Sequence, residues 1–117
     1  MNHSHDLARQ LASLASEKKA ENICILDLRS LSSLTDYFVI CSAPTDIQVK
    51  AISNHIRDEM SATQKPWNVE GTEYNSWILI DFVDVIVHVF QTEIRDFYNL
   101  EGLWADAKTE TISADEG

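Results

Sequence analysis

The stretch "WILIDFVDVIVHVF", Trp77 to Phe90, limits the folds open to this chain more than any other. It falls short of the ~18 apolar residues that read as a bilayer-spanning helix, and its wealth of Ile and Val favours extended backbone. Asp81 and Asp84 interrupt it near the middle. Two strands, residues 76–82 and 85–91, satisfy both facts, and too few residues separate them for anything except a tight hairpin. Strand side chains alternate between faces. Ile78, Ile80, Val85, Val87 and Val89 can therefore face covering helices, leaving Trp77, Leu79 and Phe90 on the other face with Asp81 and His88.

Upstream, Leu7, Leu11 and Leu14, backed by Ala8, Ala12 and Ala15, recur at helical spacing and predict an amphipathic helix over residues 6–19. "NICILDL" (22–28) and "DYFVICS" (36–42) follow as strands that are apolar on both faces, hence interior ones. Thr45 with Gln48 three residues on is a capping-box pattern, and Asp46 suits the positive end of a helix. Val49, Ile52, Ile56 and Met60 then trace one stripe, so this helix runs to about residue 63 and ends before Pro66. Beyond the hairpin, Thr92 is the expected cap of a short helix through Tyr98, with Glu93 in its first turn. The segment "ADAKTETISADEG" (105–117) reads as a disordered acidic tail. The fold class is thus α/β (α+β), one mixed sheet in chain order α-β-β-α-β-β-α, forming a single domain over residues 1–104.

Nine basic against nineteen acidic residues leave a net charge of −10. A field of that sign repels phosphate backbones and favours a basic protein partner, although solubility alone accounts for it equally well. Little direct nucleic-acid contact is expected, and no membrane contact. The start, "MNHSHDLARQ", lacks both the apolar core of a signal peptide and the Arg-rich character of a transit peptide, which points to the cytoplasm.

Catalytic chemistry finds little support. Asp81 and Asp84 are three apart, which throws them to opposite faces of a strand, and the Asp-x-Asp pairing used to hold metal ions in phosphoryl transfer is absent. "SLSSL" has no glycine with which to cradle a phosphate. His88 as a general base has no visible partner and reads better as a structural histidine. Cys41, like Cys24, sits in an apolar run where nothing lowers its pKa. His3 and His5 suit no closed metal site, so neither cofactor nor metal is expected. What the chain offers instead is apolar surface: Trp77, Phe97, Tyr98 and Trp104 fall in one region with Glu93 and Arg95, residue types that carry interface energy. For each ring taken singly, filling the core of a small domain is an equally good reading.

"SLSSLTDYFVICSAPTDIQVKAISNHI", Glu70-Gly71, "WILIDFVDVIVHVF" and "EIRDFYNLEGLW", in that order, resemble the ribosomal silencing factor family, also called RsfS, YbeB or Iojap. The resemblance covers about Ile23 to Trp104. It implies a nucleotidyltransferase-like fold without the catalytic residues. It also implies binding to the large ribosomal subunit through that subunit's basic fourteenth protein, at the face where the small subunit docks, so that subunit joining is blocked and translation is silenced when nutrients fall. A homodimer of the free chain is compatible with it. Val83 departs from the family pattern, standing where glycine is usual in the hairpin turn, and "CSAPTD" lacks the glycine common after the second strand. The candidate partner-binding set is Trp77, Asp81, His88, Phe90, Glu93, Arg95, Tyr98 and Leu100. The competing readings are a nucleotidyltransferase-like enzyme using Asp81, Asp84 and Asp36, and an adaptor for some other partner.

Overall fold

In the computed structural model, which describes residues 3–112, six strands form one sheet in the order β3-β4-β5-β2-β1-β6. The chain runs α1 (His3–Glu17), β1 (Glu21–Asp27), β2 (Tyr37–Ala43), α2 (Asp46–Met60), β3 (Asn68–Glu70), β4 (Trp77–Asp81), β5 (Val85–Gln91), α3 (Thr92–Tyr98), α4 (Leu100–Leu103) and β6 (Lys108–Ile112). Only β2 and β5 pair in parallel, side by side at the centre, where "YFVICSA" lies in register with "VIVHVFQ". Central position explains why both runs are apolar on both faces.

Helices α1 and α2 close one face. Leu11, Leu14, Ile52 and Ile56 from the helices meet Ile25, Val39, Ile78, Ile80, Val85, Val87 and Val89 from the strands, all buried in one cluster. The five hairpin residues expected to face helices do so. Thr45 caps α2 as its pattern predicts: its hydroxyl oxygen accepts the Gln48 N–H at 3.2 Å while the hydroxyl donates to Gln48 Oε1 at 3.1 Å. Helix α2 ends earlier than expected, at Met60, with Ser61 as its C-cap.

Three expectations need correction. The segment taken for a disordered tail supplies β6, which pairs antiparallel along β1 with Ile112 opposite Ile23 and Glu110 opposite Ile25. Ile112 packs on the main core, and the Glu110 carboxylate is hydrogen-bonded to His5 and ion-paired with Arg9, both of α1. Residues 113–117 of that segment lie outside the described residues. Thr92 is the first residue of α3 rather than its cap; the cap position is Gln91, without a side-chain hydrogen bond, and Thr92 Oγ1 is buried without a partner. The short β3 and α4 were not anticipated, so the order is α-β-β-α-β-β-β-α-α-β.

The hairpin between β4 and β5 is as tight as its spacing demands. The Asp84 N–H donates to Phe82 O at 3.0 Å around Val83, whose φ is 75°. That is a γ-turn of the strained, positive-φ kind, and a β-branched residue is poorly suited to it. The side chain of Asp81 offsets part of the cost by accepting the Val83 N–H at 2.7 Å.

Candidate partner-binding face

The second face of the sheet is built differently. Alternation places Cys24 and Leu26 of β1, Phe38, Ile40 and Ser42 of β2, and Ile86, His88 and Phe90 of β5 on this side, together with Trp77, Leu79 and Asp81 of β4. Instead of two long helices it is covered only by α3, α4 and the turn after them, through Ile94, Leu100, Trp104 and Ala107.

Trp77 and Phe90 are cross-strand partners, and their rings stack with centroids 4.7 Å apart. Tyr98 leans on Trp77 from α3 at 4.9 Å, and Phe97 meets Tyr98 edge-on at 5.2 Å. Gly71 makes this placement of Trp77 feasible: it has φ of 89°, and a Cβ there would lie 1.9 Å from the Trp77 carbonyl oxygen. The Trp77 indole N–H donates to His88 Nδ1 at 3.1 Å. That bond leaves the proton of the neutral ring on Nε2, which is buried without a hydrogen-bond partner, while Phe38 packs against the ring in a T-shape at 4.5 Å. Burial pushes the His88 pKa down to about 4, so the ring is uncharged at neutral pH.

Arg95, 8% exposed, fixes the cover in place. Its guanidinium donates to Ser42 Oγ at 3.0 Å, to Cys24 Sγ at 3.7 Å and, through Nε and Nη2, to the Glu101 carboxylate at 3.3 and 3.1 Å. One cation thereby ties α3 and α4 to β1 and β2, and the pairing with Glu101 is what makes its burial tolerable. Asn99, with φ of 48°, supplies the left-handed joint between the two short helices, and its N–H donates to Arg95 O at 2.9 Å.

The eight candidate residues therefore divide. Trp77, Phe90, His88, Tyr98, Arg95 and Leu100 do come together on this face, but His88, Phe90 and Arg95 are buried and not presented to a partner, and Leu100 is a half-buried part of the cover itself. The three buried residues hold up the layer above. Asp81, half-buried, is engaged in the hairpin turn. Glu93 is exposed, as are Tyr98 at 51%, Phe97 at 78% and Leu103 at 76%. Phe97 belongs to the group of aromatics that the sequence marks as able to carry interface energy, whereas nothing in the sequence marks Leu103, because the four-residue α4 is too short to show a periodic stripe.

Asp36 and Asp84 meet through backbone, the Asp36 N–H donating to Asp84 O at 2.9 Å. Their side chains do not gather with Asp81 into a ligand set: among the described residues, the one group of three or more such side chains with donor atoms within 4.8 Å of one another is Glu17, His55 and Glu59. The Cys41 thiol is fully buried and pushed up to about 12, which removes it as a nucleophile. Among the described residues no helix is long and apolar enough to cross a membrane.

A six-stranded mixed sheet with two long helices on one face and a thin aromatic cover on the other is the architecture of a small α+β domain. The model of the family described as "Ribosomal silencing factor during starvation" matches residues 1–116. The chain is 41% identical over 97 residues to the ribosomal silencing factor RsfS of Bacillus subtilis, covering 82% of each chain. It is 37% identical over 109 residues to RsfS of Halalkalibacterium halodurans, covering 91% of this chain and 92% of the relative. Among solved structures, a protein from Chromobacterium violaceum superposes with a TM-score of 0.81 at 32% identity, covering 97% of this chain and 96% of the other. A more distant relative, 29% identical over 98 residues, is the mouse "Mitochondrial assembly of ribosomal large subunit protein 1", of which the match covers 43%, against 80% of this chain. The chain belongs to the RsfS family of ribosomal silencing factors. That family is regulatory and not enzymatic.

Proposed function

We propose that this protein binds the large ribosomal subunit through its basic fourteenth protein and, by occupying surface that the small subunit needs, prevents the two subunits from joining, repressing translation when nutrients are short. Support comes from the family, from the mouse relative whose name ties it to assembly of the large subunit, and above all from one observation. Tyr98 stands exposed against Trp77 with exposed Phe97 packed on it, and Leu103 is exposed on α4, with exposed Glu93, Asp96 and Asp106 nearby in the chain, while the one basic side chain of α3 and α4, Arg95, is buried. Exposed aromatics amid acids suit a basic protein partner, whose charge steers encounter while the rings supply affinity.

Exclusion needs no chemistry. A domain seated over an interface of roughly 1,600 Å² displaces a competitor by volume overlap. Within this reading the fold is a nucleotidyltransferase-like scaffold put to binding, and the chain acts in the cytoplasm. The test is sedimentation of purified subunits through sucrose with and without the protein. Joined ribosomes should decrease, with the protein co-migrating with large subunits and not with small ones; an unchanged profile rejects the proposal.

A further inference from the structure

Far from the aromatic face, the end of α1 and the second half of α2 bring three metal-ligating side chains together. Glu17 is the last residue of α1, and His55 and Glu59 lie one turn apart on α2, so the two α2 side chains share a face. His55 Nε2 stands 2.8 Å from Glu17 Oε1, and one donor atom from each of the three residues falls within 4.8 Å of the others. The packing of both helices into the same core fixes their relative position.

We propose that Glu17, His55 and Glu59 form a binding site for a divalent first-row transition metal ion of the zinc class, which clasps α1 to α2. Donors around a tetrahedral zinc ion sit about 3.3 Å apart, given bonds of roughly 2.0–2.1 Å. The two glutamates are exposed and free to close that difference by rotating, while His55 is half-buried and already oriented. One imidazole nitrogen with two carboxylates is a borderline donor set that prefers zinc over the all-oxygen shells chosen by calcium or magnesium. Water completes the fourth position. The ion takes the place of the proton shared between His55 and Glu17 and offsets the two negative charges held beside each other. Lying on the helical side of the sheet, the site is independent of the partner-binding face.

Titration calorimetry of the full chain with zinc alone should show saturable binding at one site per chain, and cobalt should give the visible bands of a low-coordinate complex. His55→Ala should weaken zinc binding at least about tenfold, and Glu59→Gln should weaken it as well. His5→Ala, at the other end of α1, should leave the zinc affinity unchanged. Zinc should also raise the melting temperature of the wild-type chain and fail to raise that of His55→Ala, which separates a site from nonspecific adsorption. No saturable binding, binding unaltered by His55→Ala, or binding abolished by His5→Ala would each overturn the proposal.

Discussion

The two faces of the sheet are made from alternate residues of the same strands, yet they are built on different terms. Under α1 and α2 the interior is almost entirely aliphatic, with Val85, Val87 and Val89 of β5 meeting Leu11, Ile52 and Ile56. One residue along, β5 turns His88 and Phe90 the other way, into a layer of rings closed by a buried cation and two helices of seven and four residues. The sealed face holds the larger of the two buried clusters. The aromatic face accepts buried polar groups, His88, Arg95 and Ser42, and above them Tyr98 packs on Trp77 and Phe97 packs on Tyr98 at the surface. A binding protein gains from that arrangement because rings fixed in the free state lose less entropy on docking.

The contrast is open to attack at several points. Phe90 carries the heaviest load on the aromatic face, being fully buried beneath Trp77. Phe90→Ala should lower the unfolding free energy by about 3–5 kcal/mol, read from urea denaturation. A loss below about 1 kcal/mol would mean that this face is an ornament on a core complete without it.

Next in size is the response to acid. His88 is neutral in the fold with a pKa of about 4 but takes up a proton near 6.5 once unfolded. The unfolded chain therefore binds more protons between those values, and stability should fall as pH drops through 6.5 toward 4, by up to on the order of 3 kcal/mol, and stop falling on this account below it. His88→Phe should flatten the slope of melting temperature between pH 6.5 and 5. An equally steep slope in the variant would place the acid sensitivity elsewhere.

The smallest stability effect belongs to the turn that both faces share. Val83 holds a φ of 75° in the hairpin, so Val83→Gly should raise stability by about 1 kcal/mol, the relief of strain exceeding the entropy glycine adds to the unfolded chain. A destabilised glycine variant would show that the exposed valine side chain earns its place by packing.

Much of this architecture was legible from alternation and capping. The hairpin, its two faces, the capping box at Thr45 and the stripe of α2 all express local periodicity, which a single sequence contains. The resemblance to the ribosomal silencing factors also pointed to Val83 as an anomaly, and its positive φ shows why glycine is the easier residue there. What escaped was non-local. β6 reads as a polar tail because Ile112 is its single large apolar residue, and it takes the open edge of β1 together with the side chains of His5 and Arg9 to make it a strand. Residue type likewise could not say which rings are bare: Phe90 and Phe97 look alike in sequence, and burial in the sheet separates them. Glu17 and His55 lie 38 positions apart, so only helix packing brings them together.

The central claim, that the exposed rings of the aromatic face do the binding, is tested most directly by the double variant Phe97→Ala/Tyr98→Ala assayed for inhibition of subunit joining. Phe97 is largely and Tyr98 half in solvent, so the variant should lose little stability while leaving ribosomal subunits free to associate. A variant that folds normally and still blocks joining at wild-type concentrations would contradict the account.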